Sequence, residues 1–159
     1  MGNTIFWFRR DLRFEDNLGL YKALSSSNCV IPIFIFDKNI IDELDKDDPR
    51  ITLIFDRLIY LNKKIKEFNS KILFFHGNPI DIFKELTKKY PIEKVFFNHD
   101  YEPYGVKRDI KITEFLKSNK IEVKTYKDQV IFEKNKEVIR NIQHSKENEN
   151  FWRSLTYIQ

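Results

Sequence analysis

Glycine is scarce in this sequence: four residues among 159, against an average usage of about 7%. That scarcity argues against the glycine-dependent phosphate cradles. Neither the dinucleotide fingerprint G-x-G-x-x-G nor the P-loop G-x-x-x-x-G-K-[ST] is present. The nucleophile elbow G-x-S-x-G is also missing, and no catalytic residue is assigned. Cysteine is rarer still. Cys29 stands alone, which excludes a disulfide framework and a cysteine-based zinc site. His76, His99 and His144 lack metal-ligand spacing, so no metal is expected. No apolar run approaches the ~20 residues of a membrane span. The opening MGNTIFWFRRD lacks the apolar core of a secretory signal. A soluble, cytoplasmic protein without a membrane partner is the expectation.

What the sequence does contain is apolar and aromatic mass. Forty-two per cent is hydrophobic and 15% aromatic, with 15 phenylalanines, enough to fill the core of one compact domain. The net charge of +4 is compatible with a nucleic-acid partner without demanding one. The lysines are interspersed with acids, as on a solvated surface.

Apolar strand-like runs alternate with helical patterns. TIFWFR (4–9) reads as a first strand, NLGLYKALS (17–25) as a short helix with Asp16 as its N-cap, and CVIPIFIFD (29–37) as a strand buried on both faces. Asp48 and Pro49 then open a long helix in which Ile51, Ile54, Leu58, Leu61, Ile65 and Phe68 recur at helical steps. KILFFHG (71–77) is a third strand, and Asn78–Pro79 opens a helix with Asp81 at its positive end. KVFFN (94–98) is a fourth strand, a helix begins at Gly105, and IEVKTY (121–126) is a fifth strand. This order predicts an α/β domain: a doubly wound, five-stranded parallel sheet with helices on both faces, Rossmann-like, over residues 1–130. Residues 131–159 change to polar and then aromatic composition and read as a linker or the start of a further domain.

In open α/β sheets, ligands sit beyond the carboxyl ends of the strands at a topological switch point. The loop after strand one is cationic (Arg9, Arg10), and the loop after strand four, NHDYEPYG (98–105), carries Asp100 and Glu102 beside Tyr101 and Tyr104. Should the two strands be neighbours, the crevice has a guanidinium side, a carboxylate side and aromatic walls. Such a crevice suits a planar hydrogen-bonding heterocycle better than a triphosphate. Arg10, Asp100 and Glu102 read as ligand-facing by the switch-point rule. Arg13 and Asp16 read as pairing and capping groups, and Arg10 and Asp11 could also serve only to pair within the turn. The run Phe6–Trp7–Phe8 reads as core.

The strings WFRRDLRFEDNLGLYKAL, VIPIFIFD, GNP and NHDYEPYGVKRD resemble the N-terminal domain of the DNA photolyase and cryptochrome family. The first follows that family's opening W-x-R-R-D-L-R-x-x-D-N-x-x-L, and Glu102–Asp109 follows its E-P-Y-G-x-x-R-D. The resemblance covers about residues 5–138. It implies an antenna-chromophore domain of a deoxyribodipyrimidine photolyase. Such an enzyme is a carbon–carbon lyase that splits cyclobutane pyrimidine dimers with blue light. It further implies FAD held in a helical C-terminal domain that residues 131–159 would only begin, contact with DNA through the full-length protein, and no activity of this chain alone. The family's folate-type antennas use an Asn-Glu pair where this chain has Tyr104 and Gly105. The resemblance therefore implies a flavin or deazaflavin antenna rather than a folate, held by Arg10, Phe36, Asp37, Arg50, Asp100, Glu102 and Arg108. The alternatives are the corresponding domain of a cryptochrome photoreceptor and a stand-alone nucleotide-binding α/β module, whose shared architecture does not settle function.

Overall fold

The computed structural model of the chain describes residues 2–45 and 47–128. Segment 131–159, expected as a linker or domain start, lies outside the described residues. The elements run β1 (Asn3–Phe8), α1 (Leu18–Ser26), β2 (Val30–Asp37), α2 (Lys38–Ile41), α3 (Pro49–Ile65), a 3-10 turn (Lys66–Phe68), β3 (Leu73–Gly77), α4 (Pro79–Lys89), β4 (Ile92–Asn98), α5 (Pro103–Ser118) and β5 (Glu122–Tyr126). The five strands form one sheet in the order β3-β2-β1-β4-β5, and every pairing is parallel. The α/β architecture is the one the alternation of elements predicts.

Strand alternation sends successive side chains to opposite faces, and β1 does so with large residues in both directions. Ile5 and Trp7 join Ile33, Ile35, Phe83, Val95, Phe97, Ile112 and Leu116 in a core beneath α4 and α5. Phe6 and Phe8 join Leu20, Ala23, Phe34, Leu58, Leu61 and Phe96 in a second core beneath α1 and α3. Phe6, Trp7 and Phe8 are buried as core residues. Their rings meet neighbours edge-on: Phe6 on Phe8 at 4.7 Å and Trp7 on Phe83 at 5.2 Å, an arrangement that aligns ring edges with ring faces.

Two local expectations shift. Asn17, not Asp16, caps α1: its side chain accepts from Leu20 N, while Asp16 occupies the left-handed region at φ 50°. α5 starts at Pro103 rather than Gly105, because proline at the first helical turn loses only an N–H that had no partner there. Asp37 ends β2 and caps the four-residue α2, a turn too short to leave a periodic signature. Among the described residues no helix is long and apolar enough to cross a membrane.

Candidate functional site

The strand order reverses between β1 and β4. The loops leaving their carboxyl ends therefore face each other across the switch point. The alternation of β1 continues into the loop. Arg9 falls on the same face as Trp7 and Phe97, with its guanidinium 5.1 and 5.0 Å from their ring centroids. It donates both bonds of a bidentate pair to Asp109 of α5 at 2.7 and 2.6 Å. Arg108, one residue earlier on α5, lies 5.0 Å from the Trp7 centroid and 5.7 Å from that of Tyr104. It donates to Asp100 at 3.1 Å, to Asp109 at 3.2 Å and to Asp37 at 3.5 Å. Tyr104 donates its hydroxyl to Asp37 at 2.8 Å. This network, buried apart from Tyr104, joins the ends of β1 and β2, the loop after β4 and the first turns of α5.

A second polar cluster lies on the α1 side. The Asp11 carboxylate accepts from Arg9 N at 2.8 Å, from Asn98 Nδ2 at 2.7 Å and from Asn17 Nδ2 at 3.3 Å. Asn98 also donates to Asn17 Oδ1 at 2.9 Å. Asn98 Oδ1 is packed so closely under α1 that a Cβ on Gly19 would stand 2.3 Å from it. Arg13 braces the turn against Asp128, with Nη1 3.1 Å from Oδ2, and donates to the Asp16 carbonyl at 2.9 Å. The brace predicted for Arg13 is present, but its carboxylate partner comes from beyond β5.

Between the two clusters runs a narrow crevice lined by Arg9, Arg10, Asp11, Asn98, His99, Asp100 and Asp128, enclosing about 10 Å³. Arg10 pairs across its mouth with Glu102 at 2.6 Å, both side chains more than half exposed. An ion pair this exposed contributes about 0–1 kcal/mol. Parting it to admit a larger guest therefore costs little. A wider groove of about 350 Å³ lies at the opposite, amino end of the strands. Apart from Lys71 no charged side chain lines it, so it lacks the convergent polar groups that orient a ligand.

The structure thus gathers five of the seven residues singled out from the sequence. Arg10 and Asp100 line the crevice, Glu102 closes on Arg10, and Asp37 and Arg108 stand behind Asp100. The other two lie elsewhere. Arg50 is exposed at the start of α3 and folds back on Asp48 at 2.6 Å. Phe36 meets Phe34 edge-on at 4.9 Å and packs against the core beneath α1 and α3. Arg9, Asn98 and Asp109 are the residues that sequence reasoning passed over. For Arg9 the signal was available: a strand period of two places it with Ile5 and Trp7.

Burial alone would push the Asp100 carboxyl up. The hydrogen bond from Glu102 N and the nearby Arg9, Arg108 and Arg10 outweigh burial and hold it below the usual aspartate range. Burial pulls the Arg9 guanidinium down, against the opposing pull of Asp109. Burial and the bond to Asp37 raise the Tyr104 phenol. A carboxyl whose folded pKa is depressed stabilises the fold above its ordinary pKa, and that contribution disappears as pH falls through the folded value. Stability is therefore expected to fall on acidification below about pH 4. An Asp100→Asn variant should show a shallower acid limb in chemical denaturation followed from pH 7 to pH 3. An identical acid limb would remove Asp100 from the account.

The DNA photolyase family model matches residues 4–155. The chain belongs to the DNA photolyase family. It is 32% identical over 127 residues to the deoxyribodipyrimidine photo-lyase of Synechococcus sp., covering 80% of this chain and 26% of that protein. It is 30% identical over 120 residues to cryptochrome-2 of Gallus gallus, covering 76% of this chain and 21% of the relative. Among solved structures it matches the archaeal photolyase of Sulfolobus tokodaii, determined with two FAD molecules, at TM-score 0.72 and 32% identity, over 82% of this chain and 30% of that one. The class III photolyase of Agrobacterium tumefaciens shares the fold at TM-score 0.75 and 22% identity, over 99% of this chain and 32% of that one. The chain thus spans about a quarter of the length of the curated photolyase and cryptochrome relatives, and its fold is that of the photolyase N-terminal α/β domain.

Proposed function

We propose that this domain binds a light-harvesting chromophore of flavin or deazaflavin type at the β1/β4 switch point. In this proposal the domain serves a photolyase that repairs cyclobutane pyrimidine dimers in DNA with blue light. One observation carries the proposal. In a member of the photolyase family, Arg10, Asp100 and Glu102 meet over a crevice at the topological switch point, where open α/β sheets take their ligands. Arg10 and Glu102 form the movable mouth. Asp100, held ionised by the arginines around it, accepts from ring N–H groups or chain hydroxyls. The Arg108–Asp37–Tyr104 network fixes Asp100 from behind. The chemistry such a chromophore supplies when bound is absorption of blue light and transfer of that excitation. The chain's own groups bind and orient it. FAD and contact with DNA are proposed for a helical domain beyond residues 1–130.

The test is a fluorescence titration of the purified chain with riboflavin, FMN and a deazaflavin. At least one should bind saturably, and Arg10→Ala or Asp100→Ala should weaken it by about tenfold or more, as loss of a charged hydrogen bond does. Saturable binding untouched by either substitution would place the ligand elsewhere. The chain alone is expected not to split thymine dimers under blue light, because the proposed flavin that drives the chemistry lies outside this domain. Light-dependent loss of dimers in a chromatographic assay would contradict that.

The similarity to cryptochrome-2 supports a second reading, the same domain serving a photoreceptor. Both readings place a chromophore in the same crevice, so the titration bears on each.

A further inference from the structure

An edge strand presents its backbone N–H and C=O groups to whatever comes alongside. The edges of this sheet are β3 and β5, and they differ in kind. β5 carries Glu122 and Lys124, paired at 2.7 Å, with Lys94 of β4 in register beside Glu122. Charges of this sort keep a second strand off. β3 reads Leu73-Phe74-Phe75-His76-Gly77, without a carboxylate, lysine, arginine or proline. It keeps continuous register with β2 along its whole length, so no bulge turns its edge away.

The outer edge of β3 has a marked beginning. The Asn62 side chain accepts from Ile72 N at 2.7 Å and donates to Ile72 O at 3.4 Å, so its amide stands where a neighbouring strand would. Backbone groups alternate sides along a strand, and the next residues to turn theirs outward are Phe74 and His76. Among the described residues no strand lies beside them on that side. Phe74 is in register with Phe34 and shares its face, the one beneath α3. On α3, Phe55, Ile59 and Asn62 follow at steps of four and three and share one flank, and the bonds from Asn62 to Ile72 fix that flank over β3. Phe55, Ile59 and Phe74 are 49, 50 and 38% exposed. An apolar shelf thus lies along an uncharged strand edge.

We infer that β3 is a self-association edge: a second copy of this chain adds its own β3 across a two-fold axis, making one continuous sheet through both copies. A closed pair of identical edges runs antiparallel. With the axis at Phe75, Phe74 of each copy stands opposite His76 of the other. The outward backbone groups of these residues then meet as hydrogen-bonded pairs, Phe75 faces Phe75, and no like charges stand opposite one another. The three apolar side chains offer on the order of 250 Å² per copy, below the roughly 800 Å² per partner of a standard interface. The dimer is therefore reversible, with a dissociation constant on the order of 10–100 µM.

Sedimentation velocity of the full chain, across concentrations spanning that range, should show monomer giving way to dimer. Phe74→Lys and, separately, Ile59→Lys should each raise the dissociation constant by about tenfold or more, because each buries a lysine in the seam. Leu24→Lys adds the same charge to the exposed side of α1 and should leave the constant unchanged. Circular dichroism checks the fold of each variant, and where Phe74→Lys fails to fold, Ile59→Lys carries the test. In the parent chain, hydrogen exchange at the Phe74 and His76 amides should slow as the dimer forms. A monomer at every concentration, a dimer weakened by Leu24→Lys and not by the two substitutions along β3, or exchange at Phe74 and His76 indifferent to concentration overturns the inference.

Discussion

Replacing Arg108 with methionine is expected to lower the unfolding free energy by about 3–5 kcal/mol, the cost of removing one partner from a buried charge cluster. The Arg108 side chain is 8% exposed and serves Asp37, Asp100 and Asp109 at once. Without it, three carboxylates share the one remaining guanidinium at the buried end of the network, that of Arg9. Methionine keeps much of the stem packed near Trp7 and Tyr104, so the loss reports the charge rather than a cavity. Urea denaturation of the variant beside the parent measures it. Arg50→Met is the matched control. Arg50 stands exposed on Asp48, and its removal should leave the urea midpoint near the parent value. Equal effects of the two substitutions would mean that the network beneath the crevice does not hold the fold together.

The second large effect concerns Gly105. In an exposed helix interior, alanine is favoured over glycine by about 1 kcal/mol. At this position the order should invert. An added Cβ would stand 2.3 Å from Asp100 Cγ and 2.9 Å from its Cβ, and the latter belongs to the stiff root of the side chain. Accommodation requires Asp100 to leave its seat at the amino end of α5 and to release Arg108. Gly105→Ala is expected to destabilise the domain by about 1–3 kcal/mol, as overpacking of a well-filled site does. It should also weaken flavin binding along with the displaced carboxylate. A gain in thermal midpoint with unchanged binding would show that Asp100 is free to move and is not the fixed acceptor described above.

The glycine of the E-P-Y-G string thus has a physical reason that a string match does not supply: the carboxylate two residues before the cap needs the space. The same divide runs through the rest of the site. The sheet, its parallel sense and the two loops at the switch point were legible because strands buried on both faces write nearly continuous apolar runs, as VIPIFIFD does. The meeting of Arg10 with Asp100 and Glu102 was conditional on β1 and β4 being neighbours, and the strand order of the folded sheet supplies that condition. Tertiary pairings were not legible. Arg9 reaches Asp109 across 100 residues, and Asn98 reaches Asp11 across 87. No local period or cap records such a distance. Arg50 illustrates the opposite case. A cation near a helix start resembles a ligand group in one dimension, but its nearest carboxylate is Asp48, two residues away, and a short local contact costs less chain entropy than a distant one. Phe36 was expected to offer an apolar face to a ligand, yet the edge-on contact with Phe34 draws it to the core beneath α1 and α3.

The most direct test of the switch-point site is a nitrogen-15 NMR titration of the full chain with riboflavin. Shift changes are expected to concentrate in residues 9–11 and 98–104, the two loops that face each other across the β1/β4 reversal. Changes concentrated instead at Pro32, Leu73, Tyr90 and Ile92, in the apolar groove at the amino ends of the strands, would contradict the account.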